Sequence, residues 1–201
     1  MTRLIRLIAV AGAAVALSSC AILATPDPVQ LYRFGPTDLP SDSAPAASVN
    51  VALRPVRFTE ATAQDRILGV TGTQAAYIAG ARWVSPAQQL YADALRTTFE
   101  NQAQRVNLIG RGERTRTGLA LDVDVTVFEA RYAYAGAAPT ATIVARVRLL
   151  NPETRSVQAE QAFTIEEGAG ENRVSAIVEA FDRGVRDLNA QIVSWTDQNA
   201  R

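Results

Sequence analysis

Two aspartates two positions apart, Asp122 and Asp124, have the types and spacing of an acid–base pair. They lie in Leu119–Phe128, where apolar and polar residues alternate, so both side chains would point to one face of a strand. Paired carboxylates can move a proton or hold a divalent cation. The chain has no histidine and one cysteine, which excludes Ser-His, Cys-His and histidine-ligated metal sites. A site made of carboxylates is therefore the catalytic arrangement that the composition leaves open.

The surrounding pattern predicts an antiparallel sheet. Residues 141–149 and 157–165 repeat the period-two alternation of residues 119–128, which is typical of strands with one face towards a core. We expect hairpin turns about residue 135 and at Asn151–Thr154, where proline occupies the position that a type I turn prefers.

This arrangement offers a structural role for the two aspartates. The first hairpin would place Asp122 opposite Arg148 and Asp124 opposite Arg146, and the second would place Glu160 opposite Arg146. Opposite charges that face each other across strands contribute about 0.2–1 kcal/mol per pair. We therefore predict a ladder of alternating charge on the solvated face of the sheet, with no catalytic residue, metal or cofactor, and keep the carboxylate enzyme as the alternative.

The only cysteine, Cys20, ends a segment built like an export signal. Arg3 and Arg6 supply positive charge, the apolar or small residues Leu7–Leu17 follow, and two serines precede the cysteine. This order is typical of a segment that is removed on export. A single thiol in an exported chain is a liability unless its sulfur is used. Lipid attachment would use it, and the alternative is a plain secreted protein with a free thiol.

The residues Leu17–Cys20 resemble a bacterial lipoprotein signal. The resemblance implies that residues 1–19 are removed and that Cys20 becomes the acylated first residue. The apolar run is shorter than the roughly 20 residues that cross a bilayer, and charged residues interrupt every later apolar stretch. We therefore expect a membrane anchor made of lipid, joined to the domain by a tether over residues 20–28.

The N-terminal half of the domain is predicted from shorter signals. Strands are expected at Gln30–Phe34, Val49–Leu53 and Ala76–Ala79, with a proline-rich loop over residues 35–48. Residues 56–74 carry no pattern that predicts an element.

Two helices are predicted. The first spans residues 86–104, with Ser85 as N-cap, Pro86 at the first helical position and Gln88 at the spacing of a capping box. The second spans residues 172–195 and carries an apolar seam with alternating spacings of four and three: Val174, Val178, Phe181, Val185, Leu188, Ile192 and Trp195.

The seam has two interpretations. It can cover the sheet, which is the ordinary role of an amphipathic helix. Alternatively its distal part, Leu188, Ile192 and Trp195, faces a second copy or a partner. The predicted fold is α+β, a mixed and mostly antiparallel sheet with the two main helices packed on one face, in a single domain over residues 29–197.

Two tyrosines mark the tip of the first long hairpin. Tyr132 and Tyr134 lie among alanine and glycine in the segment 130–139. Exposed aromatic side chains on such a tip can bind a partner or enter a membrane interface. Equally, they can cover one end of the core.

Together these features resemble the ABC-type transport auxiliary lipoprotein family over about residues 29–197. The matching pieces are the lipoprotein signal, the strand with Tyr32-Arg33-Phe34, the segment Gly80-Ala81-Arg82-Trp83 before the Pro86 helix, and the closing unit of three strands and a helix.

The resemblance implies a non-catalytic periplasmic component that accompanies an ABC permease, an ATPase and an MCE-domain protein in lipid transport between inner and outer membranes. Arg82 and Trp83 would serve the structure first and contact a partner second. Ala21 follows the cysteine where an inner-membrane signal often has aspartate, which favours the outer membrane. The alternative is a structural lipoprotein of envelope assembly without an ABC partner. The 20 basic and 20 acidic residues balance, which does not indicate nucleic acid.

Replacement of the cysteine tests the anchor. In Cys20→Ala the sulfur that would carry the lipid is absent, so the full-length precursor should accumulate and radiolabelled palmitate should enter the wild type alone. Palmitate in the variant would contradict lipid attachment at this residue.

Overall fold

The computed structural model describes residues 29–36, 49–110 and 117–201. The signal segment, the tether and Cys20 lie outside these residues, as does most of the predicted loop 35–48. The elements of the described part are, in order, β1 Gln30–Tyr32, β2 Val49–Leu53, β3 Arg57–Phe58, α1 Glu60–Ala63, β4 Arg66–Thr71, β5 Gln74–Trp83, α2 Ala87–Gln102, β6 Val106–Ile109, β7 Leu119–Tyr132, β8 Thr140–Asn151, β9 Ser156–Gly168 and α3 Val174–Asn199.

Strand β7 is the spine of the sheet. On one side it pairs antiparallel with β8 over almost its whole length, and β8 pairs antiparallel with β9. On the other side it pairs in parallel with β2, β3 and β4 in turn. Strands β5 and then β1 extend the sheet beyond β4, and β6 extends it beyond β2. The mixed sheet confirms the predicted α+β fold.

Short segments complete the sheet where the sequence predicted no element. Strands β3 and β4 and helix α1 lie within residues 56–74. Strand β3 has two residues, and its register on β7 aligns Arg57 with Asp124. Strand β5 is also longer than its predicted core of Ala76–Ala79 because it continues through Gly80, which has a φ of +68°.

The core lies between the sheet and the two long helices. Helix α3 packs on β8 and β9, and α2 packs on α3 and β6. The residues of the seam from Val178 to Trp195 are buried in this layer: Val178, Phe181, Val185, Leu188, Ile192 and Trp195. The interpretation in which the seam covers the sheet is therefore confirmed for most of its length.

The predicted cap of α2 is wrong by one residue. Pro86 has an extended ψ of 131° and is the N-cap, and no side chain caps the helix. The Ala87 N–H donates instead to the carbonyl of Gln64 at 3.0 Å. The Gln88 amide donates to the carbonyl of Val56 at 2.7 Å, so it cannot close a capping box. Contacts with the segment 56–64 have replaced the local cap.

One carboxylate ties the end of α3 to the start of β6. Asp197 accepts the backbone N–H groups of Gln104, Arg105 and Val106 at 2.7, 3.2 and 3.0 Å. Two of these donors lie between α2 and β6, and Val106 is the first residue of β6. The last turn of the chain is thus joined to the opposite edge of the sheet.

The strand register of the β7–β8 hairpin agrees with the prediction, whereas that of the β8–β9 hairpin differs from it. Asp122 is aligned with Arg148 and Asp124 with Arg146, as expected. Arg146 is aligned with Ala162, however, and not with Glu160. The second turn is one residue longer than expected, since Arg155 adopts a left-handed φ of 56°, and a bulge between Leu149 and Leu150 shifts the pairing again.

Gly35 tests how closely the segment after β1 packs on α2. It has a φ of +95°, and an added Cβ would lie 2.7 Å from the Cβ of Ala94. Gly136 has a similar φ of +86° but nothing within 4 Å of the same position. Gly136→Ala should therefore cost only the backbone strain, about 1 kcal/mol. Gly35→Ala should cost about 1–3 kcal/mol more because two packed elements must separate.

Denaturant unfolding of the two variants measures this difference. Equal losses of stability would contradict the close contact between Gly35 and Ala94.

Candidate functional site

Trp83, one half of the predicted Arg82–Trp83 pair, is a core residue. Its ring meets Phe34 edge-on at 4.9 Å and Phe181 edge-on at 5.6 Å, and Phe128 packs against both phenylalanines. The side chain is buried. Trp83 therefore joins β5 to the segment after β1, to β7 and to α3, and it offers no surface to a partner in this monomer.

Arg82 lies on the other face of the same strand. Its guanidinium donates to Asp65 at 2.8 Å, and both side chains are partly exposed. Arg66, aligned with Arg82 across β4 and β5, lies over the ring of Tyr77 at 4.8 Å. Contact of Arg82 with a partner stays a prediction.

Exposed aliphatic side chains surround Arg82. Leu31 and Val84 are each about half exposed, at 53% and 52%, and Val29 is exposed by 46%. Val29 also lines a shallow depression with Arg66, Tyr77 and Arg82. This corner of the sheet is where the chain enters the domain from the tether.

The two tyrosines of the β7–β8 hairpin differ in environment. Tyr132 packs partly against the core, and burial raises the pKa of its hydroxyl. Tyr134 lies in the turn and is 69% exposed, with its carbonyl accepting the Ala137 N–H at 3.1 Å. Tyr134 is thus free to contact another molecule, whereas Tyr132 also covers the core. Binding by either residue stays a prediction.

The distal seam residues are placed inside the domain. Leu188 and Ile192 are fully buried, so neither is available to a partner in this monomer. Trp195 is almost buried and meets the ring of Phe163 edge-on at 6.3 Å. The part of Trp195 that remains exposed leaves its contact with a second copy or a partner as a prediction.

Asp122 is buried, which corrects the prediction that it lies on a solvated face. Its side chain is 2% exposed and is held by Arg57 at 2.8 Å and by Arg148 at 2.7 Å. Arg57 also reaches Asp124 at 3.3 Å. The expected pair Asp122–Arg148 is present, but a second arginine from β3 closes over it. The more distant pair of Arg146 and Glu160 forms diagonally, at 3.5 Å.

This arrangement suits structure better than proton transfer. Both oxygens of Asp122 accept hydrogen bonds from guanidinium groups. The hydrogen bond to Asp122 is also the main cause of a raised pKa at Arg57, so this arginine stays charged. A general base instead needs a free lone pair and a pKa near the working pH. In the described part of the chain, no group of three or more His, Cys, Asp or Glu side chains could hold a metal ion.

The sequence did not point to Arg57. It lies in the stretch without a predicted element, and a two-residue strand has no period by which it could be found. The one available signal was a charge imbalance in the predicted ladder, in which three carboxylates faced two arginines.

None of the helices in residues 29–36, 49–110 and 117–201 is both long and apolar enough to cross a membrane.

Comparison with known proteins gives one family. A family model described as the ABC-type transport auxiliary lipoprotein component matches residues 32–193. The fold is similar to that of protein XCC0632 from Xanthomonas campestris, of the DUF330 family, with a TM-score of 0.74 and 22% identity over 85% of this chain and 96% of that one. It also resembles the hypothetical protein CT253 from Chlamydia trachomatis, with a TM-score of 0.50 and 11% identity over 76% and 100% of the two chains. No curated protein matches.

The two aspartates can be separated by paired substitutions. Asp122→Asn removes a buried charge, takes from Arg148 its ion pair with Asp122 and leaves Arg57 only its longer contact with Asp124, which should cost about 2–3 kcal/mol. Asp124→Asn, at a residue one-third exposed, should cost less than about 1 kcal/mol. Thermal and denaturant unfolding of the two variants measures both. If Asp122→Asn abolishes cellular function while stability is unchanged, the carboxylate enzyme regains support.

Proposed function

This chain belongs to the family of ABC-type transport auxiliary lipoprotein components, and on that premise we propose that it is a non-catalytic, lipid-anchored periplasmic subunit of an ABC and MCE system that moves lipid between the inner and outer membranes. The lipid is attached at Cys20. The subunit holds an MCE-domain protein close to the membrane in which its own lipid is embedded.

The observation that carries the proposal is the extent of the family match. It runs from the last residue of β1 to the last turns of α3, and so includes the spine β7, the aromatic contacts of Trp83 and the helix layer. A match of this extent concerns the whole domain and not a single motif.

The composition supports a role in binding rather than in energy conversion. The chain has no histidine and no lysine. A phosphate loop of the Walker type needs a lysine on the nucleotide phosphates. ATP hydrolysis therefore belongs to a separate ATPase. The contribution of this subunit is to hold its partner protein near the membrane.

The tether keeps the domain close to the membrane, which helps it to hold a partner there. Eight residues lie between Cys20 and Val29, and this length of chain can span at most about 30 Å. A domain confined to that distance from the bilayer presents any partner surface at a high effective concentration. Ala21 after the cysteine favours the outer membrane as the site of anchoring.

Tyr134 is the residue that we propose for partner contact. It is the most exposed of the large hydrophobic side chains in the described residues and lies at the end of a long hairpin. Tyrosine is enriched among residues that dominate binding energy, since it buries a large ring and still offers a hydroxyl group.

The test is photo-crosslinking in the native envelope. A photoreactive phenylalanine in place of Tyr134 should form a covalent adduct with the MCE-domain protein, identified by mass spectrometry. The same group in place of Val157, which is 51% exposed on β9, is the matched control and should yield none.

Alanine variants at the same two positions measure how much Tyr134 contributes to capture of the partner. Tyr134→Ala should reduce capture of the MCE-domain protein by about tenfold, while the free energy of unfolding changes by less than about 0.5 kcal/mol. Val157→Ala should leave capture unchanged. If the wild-type protein captures no MCE-domain protein, permease or ATPase, the proposal fails and the structural lipoprotein of envelope assembly is left.

A further inference from the structure

The exposed hydrophobic side chains of this domain are concentrated at one place. Of the six large ones that the described residues expose, four lie on or beside β1 and β5: Val29, Leu31, Tyr77 and Val84. Single exposed hydrophobic residues are ordinary on a protein surface, whereas a group at one corner marks a site of interaction. We call Val29, Leu31 and Val84 the aliphatic corner.

Leu31 lies on the exposed face of the sheet, and Val29 and Val84 lie next to the ends of β1 and β5. Leu31 is aligned with Arg82 in the parallel pair of β1 and β5, so both point the same way. Val84 is two residues beyond Arg82, and its N–H donates to the Tyr32 carbonyl at 2.7 Å, which continues the pairing. Side chains on the opposite face, such as Trp83, are buried. The corner therefore lies directly over the packed core.

Arginines border the aliphatic corner. Arg66 is aligned with Arg82, and Arg33, two residues after Leu31, is exposed. Asp65 pairs with Arg82. Aliphatic side chains flanked by arginine, whose long stem is apolar and whose head is charged, suit the boundary between acyl chains and anionic headgroups.

The covalent anchor brings this corner to the bilayer before any other part of the domain. Val29 is the first described residue and lies in the corner itself. By contrast, the tip residue Tyr134 and the exposed Val157 of β9 are connected to the anchor only through the whole domain. Chain connectivity thus selects the membrane as the occupant of the corner.

We propose that the aliphatic corner rests on the surface of the membrane that holds the lipid of Cys20, with Leu31 and Val84 at the level of the acyl boundary and the arginines among anionic phospholipid headgroups. The contact fixes the orientation of the domain, so that Tyr134 and the helix layer are presented in a defined direction. The inference rests on lipid attachment at Cys20, which is part of the proposed function.

Fluorescent labels test the contact in the lipidated full-length protein. Leu31→Cys, Val84→Cys and Val157→Cys each introduce one thiol for an environment-sensitive label. The proteins are reconstituted in vesicles of phosphatidylethanolamine and phosphatidylglycerol, some of which carry bromine on the acyl chains. The label at residues 31 and 84 should be quenched by bromolipid at least about twice as strongly as at residue 157, and should be protected from iodide in the water.

Two further measurements separate the possible failures. The wild-type protein should take up no label, because the sulfur of Cys20 carries lipid, and it should float with the vesicles. Labelling of Cys20 or loss of flotation would refute the anchor and the proposed function. Flotation with equal quenching at residues 31, 84 and 157 would overturn this inference alone and would leave the corner to a protein partner. Melting curves of the three variants confirm that each is folded.

Discussion

Phe34, Trp83, Phe128 and Phe181 come from four separate parts of the chain and meet in one aromatic cluster, with the closest ring centroids 4.7 Å apart. Each edge-on or tilted contact adds about 0.5–1.5 kcal/mol beyond the area that it buries. The chain has one cysteine, so no disulfide can hold these parts together. Because β1 has only three residues and lies at an edge, the contact of Phe34 with this cluster gives the segment a second attachment besides its few hydrogen bonds.

The cluster connects the N-terminal segment of the domain to the rest of the fold. A lipoprotein domain is held by its N-terminal segment, and here that segment enters the sheet at β1, against β5. The cluster joins the segment after β1 to β7 and to α3. Asp197 of α3 in turn accepts hydrogen bonds from the start of β6. The aliphatic corner and the Tyr134 tip are therefore linked through one continuous core, and the proposed membrane contact at the corner would set the direction in which the tip points.

Charge in this domain acts mainly within the structure. Asp122 is surrounded by two arginines, and Asp182 accepts the Gly35 N–H at 2.8 Å while it also pairs with Arg186. Such groups stabilise a fold only when their partners are in place, since a buried charge without a partner is costly. Asp122 and Asp124, whose spacing is that of an acid–base pair, are thus accounted for by ion pairs within the fold. Function then falls to the exposed surfaces of the domain. This agrees with a family named for assisting transport.

The elements that carry a long local period could be predicted from the order of the amino acids alone. Strands β7, β8 and β9 and helix α3 were predictable because nine or more residues repeat one pattern, and the β7–β8 register followed from the predicted position of the hairpin turn. Tertiary structure decided the rest. The burial of Asp122 depends on Arg57, which is 65 residues away in the chain, and the start of α2 depends on Gln64. Whether Leu31 and Val84 are exposed depends on which elements pack next to β1, and the alternation of apolar and polar residues does not show this. Short elements have too few residues to display a period, so their positions are set by the strands and helices against which they pack.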